Sequence, residues 1–324
     1  MKNILPYFVF LCLISLFLSA CHSLDDDAKF QKRTQGYVVH TKQGSNYILQ
    51  YMPFKGGLTP LSVSVDSTLE NLLCIENELF VPQSQSHTVQ VFDVSARQMK
   101  QSITFENDFF PVSIIQHPDK PEWFFIASQN GKIAFHNRKK NKTEVFSYTE
   151  HLHHIVYANN KLYGATKNNA NSELIIVDVP TRALIKKETV PTGIKQLYSQ
   201  ILWVRGLSTD SLPVLYTFNV NDDILQKSTY SYPLQKYDYS PYSQQFYGRE
   251  FIGFVECYQG KVYVNQVQIP NSDYLQGFIA DFDESRMIAY SSTKIYHYEN
   301  MWDLVHVDSS LVNTTILRGV THRK

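Results

Sequence analysis

The densest group of metal-capable side chains in the 324-residue sequence is Glu150-His151-Leu152-His153-His154. Zinc or copper would accept imidazole ligands, and strand alternation would place His151 and His153 on one face with His154 on the other. A complete site needs a third and a fourth ligand, which this segment does not supply alone. The sequence therefore predicts a polar turn that enters a strand at a channel mouth, with no metal and no cofactor.

Aromatic side chains are concentrated between Tyr230 and Tyr247, where seven of 18 residues are Tyr or Phe. Tyrosine combines a rigid apolar face with a hydroxyl, which suits sugars, ring ligands and partner proteins. The alternative is that these rings cover an irregular junction between two structural repeats. The candidate ligand-binding residues are Tyr230, Tyr232, Tyr237, Tyr239, Tyr242 and Tyr247.

Catalytic signatures are missing from the sequence. It contains no Gly-x-Ser-x-Gly elbow, no histidine-pair zinc helix and no phosphate-binding glycine loop. A binding protein is favoured over an enzyme, although a polysaccharide lyase or hydrolase stays open if His151, His153 and Arg205 converge. The 30 Lys and Arg residues balance 30 Asp and Glu residues, so nucleic acid is not a predicted partner.

The run Leu18-Ser19-Ala20-Cys21 ends a short apolar segment that follows Lys2. Pro6 interrupts this segment, which is too short for a comfortable membrane span, and small residues stand at the cleavage position. The pattern resembles a bacterial lipoprotein signal. We therefore predict a signal peptide over 1–20 and lipidation of Cys21.

The polar stretch that follows, residues 21–35, has no strand pattern and is predicted to be a flexible tether. His22, rather than Asp, follows the lipidated cysteine, which by resemblance to the sorting rule of enteric bacteria favours the outer membrane. The predicted location is the cell envelope. The protein would be lipid-anchored to the outer membrane and face either the periplasm or the cell surface.

Two cysteines remain once Cys12 leaves with the signal peptide and Cys21 carries lipid. Cys74 and Cys257 both stand in apolar surroundings, which favours buried thiols. An oxidising envelope also permits a disulfide, and the sequence does not establish whether the two residues are close.

A repeat of about forty residues organises the rest of the chain. Apolar strands end at Asp93, Asn137, Asp178 and Asn219, with spacings of 44, 41 and 41 residues. Asp and Asn side chains bond nearby backbone amides and so organise tight turns between strands. The repeat markers are therefore predicted to be structural.

Each repeat contains about four strand-like runs separated by hairpin signals such as Asn159-Asn160. Residues 36–324 then correspond to seven units. The prediction is an all-β protein, a β-propeller of seven four-stranded blades, irregular around 237–272. The first unit is one strand short at Gly36, so we expect the C-terminal strand near residues 312–317 to complete it and close the ring.

The units Phe92-Asp93-Val94 and Val177-Asp178-Val179, followed by a turn and by Arg97 or Arg182, resemble the YVTN-type repeats of surface-layer-like bacterial propellers. The resemblance covers about residues 75–232. The Tyr-Val-Thr-Asn signature itself is absent, as are the Gly-His and Trp-Asp pairs of the WD type.

This resemblance implies a propeller fold and leaves function open, because one fold serves many functions. Lipid-anchored propellers of this kind include cobalamin-capturing surface proteins. The first expectation from the resemblance is therefore a non-catalytic protein that binds a ligand or partner, such as a small ligand or a glycan captured with an outer-membrane transporter. The second expectation is a scaffold in an envelope protein assembly complex.

Overall fold

The computed structural model describes residues 34–166 and 172–190 without a break, and beyond residue 190 it describes the strands and a few short connections up to residue 323. The predicted signal peptide, with Cys21, and most of the predicted tether lie outside the described residues. Within the part of the chain that is described, no helix has the length and apolar character needed to cross a bilayer.

The described strands form seven four-stranded antiparallel sheets, each of which is one blade of a propeller. The predicted fold class is therefore confirmed. The first blade contains β1 (Thr34–Gln43), β2 (Asn46–Pro53), β3 (Thr59–Ser64) and β28 (Thr314–Arg323). The second contains β4 (Leu73–Ile75), β5 (Glu78–Gln83), β6 (Thr88–Asp93) and β7 (Gln98–Thr104).

The remaining blades each use four consecutive strands. The third contains β8 (Pro111–Gln116), β9 (Trp123–Ser128), β10 (Lys132–Asn137) and β11 (Lys142–Ser147). The fourth contains β12 (His154–Ala158), β13 (Lys161–Ala165), β14 (Ser172–Asp178) and β15 (Leu184–Val190). The fifth contains β16 (Gln196–Tyr198), β17 (Leu202–Leu207), β18 (Pro213–Asn219) and β19 (Ile224–Ser228).

The last two blades follow the same order. The sixth contains β20 (Tyr239–Tyr247), β21 (Ile252–Tyr258), β22 (Lys261–Val264) and β23 (Val267–Gln268). The seventh contains β24 (Gly277–Asp281), β25 (Arg286–Tyr290), β26 (Ile295–Glu299) and β27 (Asp303–Asp308). The stretch 237–272, which the sequence marks as irregular, forms a blade whose outer strand is only two residues long.

The hydrophobic core lies between adjacent blades. Five of the six residues in β5 and in β9 are buried, because both faces of a middle strand pack against neighbouring sheets. Phe80 of the second blade and Phe124 of the third meet with ring centroids 4.9 Å apart. Near-continuous apolar runs in the middle strands therefore reflect burial on two sides rather than one.

The first strand of each blade is innermost. β8 lies beside β4 on one side and β12 on the other, and β28 lies beside β4 and β24 in the same way. The fourth strands are outermost and mostly exposed, as in β7. The central channel is therefore lined by the innermost strands, and the rim consists of exposed edge strands.

β28 closes the ring by pairing with β1. The register runs from Thr34 opposite Arg323 to Gln43 opposite Thr314. The side-chain amide of Gln43 also donates a hydrogen bond to the Thr314 hydroxyl at 3.0 Å. The predicted closure by the C-terminal strand is confirmed, and β1 begins two residues before the boundary at residue 36 that the sequence indicated.

The two faces of the propeller differ in which connections they carry. The turns between first and second strands and between third and fourth strands lie on one face, here named the turn face, which includes residues 76–77, 94–97, 117–122 and 159–160. The other connections lie on the opposite face, named the loop face, which includes residues 84–87, 105–110 and 148–153. Thr34 and Arg323 both belong to the turn face, because β28 is a first strand and β1 a second strand.

Candidate functional site

The repeat markers organise the turns between third and fourth strands. Backbone N–H groups three residues further along donate hydrogen bonds to Asp93 at 2.8 Å, to Asn137 at 2.9 Å and to Asp178 at 2.8 Å. The residue after each of these amides has a left-handed backbone, namely Arg97 (φ 53°), Asn141 (φ 49°) and Arg182 (φ 64°). The prediction that the markers are structural is confirmed for these three. Asn219 ends β18, and its side chain lies outside the described residues.

Arginines from these turns reach back to the preceding blade. Both terminal nitrogens of Arg138 bond the Glu78 carboxylate, at 2.6 and 2.9 Å. The guanidinium carbon of Arg182 lies over the rings of Phe135 and Trp123. These cations are therefore held between blades, where paired and stacked guanidinium groups stabilise the contact.

An open cavity of about 420 Å³ lies on the turn face between the third and fourth blades. Pro118 and Asp119, from the connection after β8, line one side. The other side is formed by the end of β12 and its turn, from Tyr157 to Asn160. Because β8 and β12 are innermost strands, the cavity stands at the mouth of the central channel.

The turn Asn159-Asn160 fixes one wall of this cavity. Both residues have left-handed backbones, with φ of 48° and 59°, as a two-residue type I′ hairpin requires. The Asn160 carbonyl accepts a hydrogen bond from the N–H of Val179 at 2.9 Å, which ties this turn to the neighbouring turn of the same blade. The hairpin that the Asn-Asn pair predicts is therefore confirmed.

A directed chain of hydrogen bonds runs behind the cavity. The backbone N–H of Asp119 donates to Nδ1 of His117 at 3.2 Å, which assigns the proton of the neutral ring to Nε2. That Nε2 lies 3.3 Å from the hydroxyl of Tyr157. The Tyr157 hydroxyl in turn donates to Oδ1 of Asn160 at 2.9 Å. His117 and Tyr157 therefore hold the amide of Asn160 in one orientation.

Burial keeps His117 and Tyr157, the middle members of this series of hydrogen bonds, uncharged. It lowers the pKa of His117, and the positive charge of Lys120 acts in the same direction. It raises the pKa of Tyr157, to which the negative charge of Asp119 adds. At neutral pH the wall behind the cavity thus consists of a neutral imidazole and a neutral phenol.

Stacking fixes the ring of Tyr157. Its plane is nearly parallel to that of Phe125, at 4° and a centroid distance of 5.9 Å. The imidazole of His117 lies closer, with centroids 4.6 Å apart. The half-buried tyrosine is therefore a rigid aromatic wall rather than a mobile surface side chain.

His117 and Tyr157 were not singled out from the sequence. They stand 40 residues apart, which is one repeat period, and they occupy corresponding ends of two adjacent innermost strands. Comparing equivalent positions of successive repeats would have paired them. The Asn159-Asn160 turn was recognised, but only as a hairpin signal.

The structure separates the two candidate metal-binding histidines. β12 begins at His154, so His151 and His153 precede the strand. His151 is exposed, whereas His153 is buried. The segment is an irregular entry to β12, as the sequence predicts, so the two histidines do not share the strand face that a metal site would require. Among the described residues, no group of three or more His, Cys, Asp or Glu side chains could hold a metal ion.

The tyrosine-rich stretch is described only in part. Tyr230, Tyr232 and Tyr237 lie outside the described residues, whereas β20 contains Tyr239, Tyr242 and Tyr247. β20 is the first strand of the sixth blade and lies beside β24, so its backbone borders the channel. It ends at the turn face. Ligand binding by these tyrosines stays a prediction.

Two further expectations concern single side chains. Cys74 is half-buried, and its thiol donates to the carbonyl of Glu76 at 3.6 Å, as a reduced cysteine does. Cys257 lies on β21 of the sixth blade, and Arg205 lies on β17 of the fifth. Their side chains lie outside the described residues, so the convergence of Arg205 with His151 and His153 stays a prediction.

Comparisons with solved structures support the propeller fold. The structure of the Neurospora crassa Pan2 WD40 domain matches with a TM-score of 0.59 at 11% sequence identity, over 81% of this chain and 84% of the other. A chain in a crystal structure of a mitotic checkpoint complex matches with a TM-score of 0.53 at 8% identity, over 79% and 78%. No protein-family model and no curated protein sequence matches the chain. At these identities the likeness concerns the fold alone.

Proposed function

We propose that this chain is a lipid-anchored β-propeller of a bacterial cell envelope, and that it binds a ligand on its turn face without catalysing a reaction. The observation that carries this proposal is the cavity between the third and fourth blades. It combines a fixed aromatic ring, a carboxylate and amides at the mouth of a channel. Concave sites with a few fixed polar groups are typical of ligand binding.

The anchoring part of the proposal rests on the sequence. Cys21 stands at the position that lipoprotein processing requires, and the described fold begins at Thr34, which leaves a short connection between lipid and propeller. The two or more acyl chains expected on such a cysteine would hold the protein firmly to the outer membrane. The YVTN-like repeats favour the same bacterial surface context.

The binding part is tested by cross-linking in native membranes followed by purification of the wild-type protein. Recovery of a small molecule whose bound amount falls in an Asp119→Ala variant supports the proposal. A stable complex with other envelope proteins and no bound small molecule would instead favour the second candidate, the assembly scaffold. Turnover of an envelope polysaccharide by the purified protein would contradict the non-catalytic role and favour a lyase or hydrolase.

The anchor is tested separately by metabolic labelling with an alkyne analogue of palmitate. Wild-type protein should carry the label and sediment with outer membranes, whereas Cys21→Ser should carry no label and, because its apolar segment is not removed, should not reach the outer membrane. Cys74→Ser is the matched control, since it also removes one thiol but lies within the fold. Labelling of the Cys21→Ser protein would refute lipidation at this residue.

A further inference from the structure

The cavity between the third and fourth blades presents hydrogen-bonding groups of both kinds. The amide oxygen of Asn160 accepts from Tyr157, which leaves its NH2 group as the donor toward a ligand. The exposed carboxylate of Asp119 supplies acceptors on the opposite side. A ligand here meets donors and acceptors across one small opening.

One charged side chain, the exposed carboxylate of Asp119, stands among the residues that line the cavity. Lys161, which follows the Asn160 turn, is opposite Asp178 in the register of β13 and β14. An anionic ligand would be repelled by Asp119, whereas a neutral ligand with hydroxyl groups can donate hydrogen bonds to it.

The aromatic wall adds an apolar surface to these polar groups. The Tyr157 ring is fixed by Phe125 and His117, so a ligand that packs on it does not have to order the ring. A sugar ring has one face of C–H groups and a rim of hydroxyls, each of which both donates and accepts. Packing that face on an aromatic ring and bonding adjacent hydroxyls to an amide and a carboxylate would use every group described here.

We infer that this cavity binds a neutral saccharide, with Tyr157 as the packing surface and with Asp119 and Asn160 as partners of neighbouring hydroxyls. The inference rests on the proposed function, whose binding site it supplies with a ligand class. A volume of about 420 Å³ lies in the range of small-molecule sites. His117 is a positioning residue, because it holds the Tyr157 hydroxyl and through it the Asn160 amide.

The test is titration of the purified propeller with galactose, mannose and N-acetylglucosamine and with short oligomers of each, followed by NMR and calorimetry. Wild-type protein should bind at least one of these sugars. Asp119→Asn and Asn160→Gly should each weaken binding about tenfold, the effect of losing one good hydrogen bond. Glycine suits position 160 because it adopts the left-handed backbone freely.

Three further variants test whether the effect is specific to the cavity. Tyr157→Phe retains the ring but releases Asn160, so it should weaken binding less than Tyr157→Ala. Glu150→Gln alters an exposed carboxylate on the loop face and should leave binding unchanged. Unaltered thermal transitions of Asp119→Asn and Glu150→Gln exclude an effect of misfolding.

The inference is overturned if no sugar in the panel binds, or if binding is the same in Asp119→Asn, Asn160→Gly and wild type. Binding of only methylammonium or only inorganic phosphate at the cavity overturns it as well, because the site would then select charge. In each case, recovery of a bound ligand from native membranes would still support the proposed function. If the panel gives no binding and no ligand is recovered from membranes, the proposed function is contradicted as well.

Discussion

The guanidinium carbon of Arg182 lies 4.3 Å from the centre of the Phe135 ring, which belongs to the preceding blade. Propeller blades contact only their neighbours, so each seam must be stabilised by its own contacts. Here a residue of the repeated turn supplies such a contact, and Arg138 supplies another through Glu78. The turn therefore sets the strand connection and the blade contact together.

Replacing Arg182 by alanine should lower the free energy of unfolding by about 1–2 kcal/mol, because it removes a partly buried cation from two aromatic rings. Arg97→Ala is a matched control. Arg97 has the same left-handed turn position, yet it is exposed, and its terminal nitrogen donates to the Thr59 hydroxyl at 3.4 Å. Urea unfolding of both variants measures the difference. Equal losses would assign the effect to backbone strain rather than to the aromatic contact.

Glu78 should make the seam between the second and third blades sensitive to acid. The hydrogen bonds from Arg138 hold the pKa of Glu78 below its ordinary value. The resulting stability is present above the ordinary glutamate pKa of about 4.3 and is lost as pH falls through the lowered value. Glu78→Gln should therefore cost about 1 kcal/mol at pH 7 and progressively less as pH falls below the ordinary glutamate pKa. Melting temperatures across this range test it, and a pH-independent difference would contradict the assignment.

Protonation of His297 should destabilise the seam between the seventh and first blades, over a higher pH range than protonation of Glu78. Its side chain is fully buried, forms an edge contact with Phe54 at 5.8 Å and accepts a hydrogen bond from the N–H of Lys55 at 3.4 Å. Burial lowers the pKa of His297 to about 4, and His306 and Lys55 act in the same direction against Asp308.

The unfolded chain therefore binds a proton at His297 near pH 6.5, whereas the folded protein does so only near pH 4. The stability from the neutral ring is complete above pH 6.5 and should fall by up to about 3 kcal/mol as pH drops to about 4. His297→Phe should flatten this part of the profile, and His151→Gln, at an exposed site, should not. A His297→Phe profile parallel to that of wild type would rule out this titration.

Closure of the ring should depend on the close approach of β28 to its neighbours. A Cβ added at Gly319 would lie 2.8 Å from the carbonyl oxygen of Val38 and would overlap the Ile279 side chain of β24. Gly319→Ala should lower the melting temperature by several degrees, consistent with a loss of about 1–3 kcal/mol. Deleting residues 311–324 should lower it much further. Thr315→Ala, at an exposed position of β28, should have little effect.

Much of the fold was predictable because the repeat recurs in sequence. Asp93, Asn137 and Asp178 end the third strands of consecutive blades, so one local turn chemistry marks the period. The missing first strand was predictable from counting. The turns depend on residues that lie close together in the chain, and the closing strand follows from the repeat count although β28 and β1 lie at opposite ends of the propeller sequence.

The candidate site depends on residues from different blades, and this explains why the sequence did not reveal it. Tyr157 and His117 meet only after two innermost strands pack side by side. Patterns in a single sequence indicate the repeat period and the polarity of each segment, but they do not show which side chains of neighbouring blades come into contact. His151 and His153 show the same point, since the sequence predicts a polar entry to a strand here but does not fix where the strand begins, which is at His154.

Thr34 and Arg323 pair with each other on the turn face, which also carries the cavity. A purification tag or a sensor-chip linkage at either position would therefore hold the cavity against the support and slow the entry of large ligands. A circular permutant avoids this. Joining residues 34 and 323 through a short linker and opening the chain at Gly44, which lies in the β1–β2 turn of the loop face with open space around it, would move the attachment point to the opposite side.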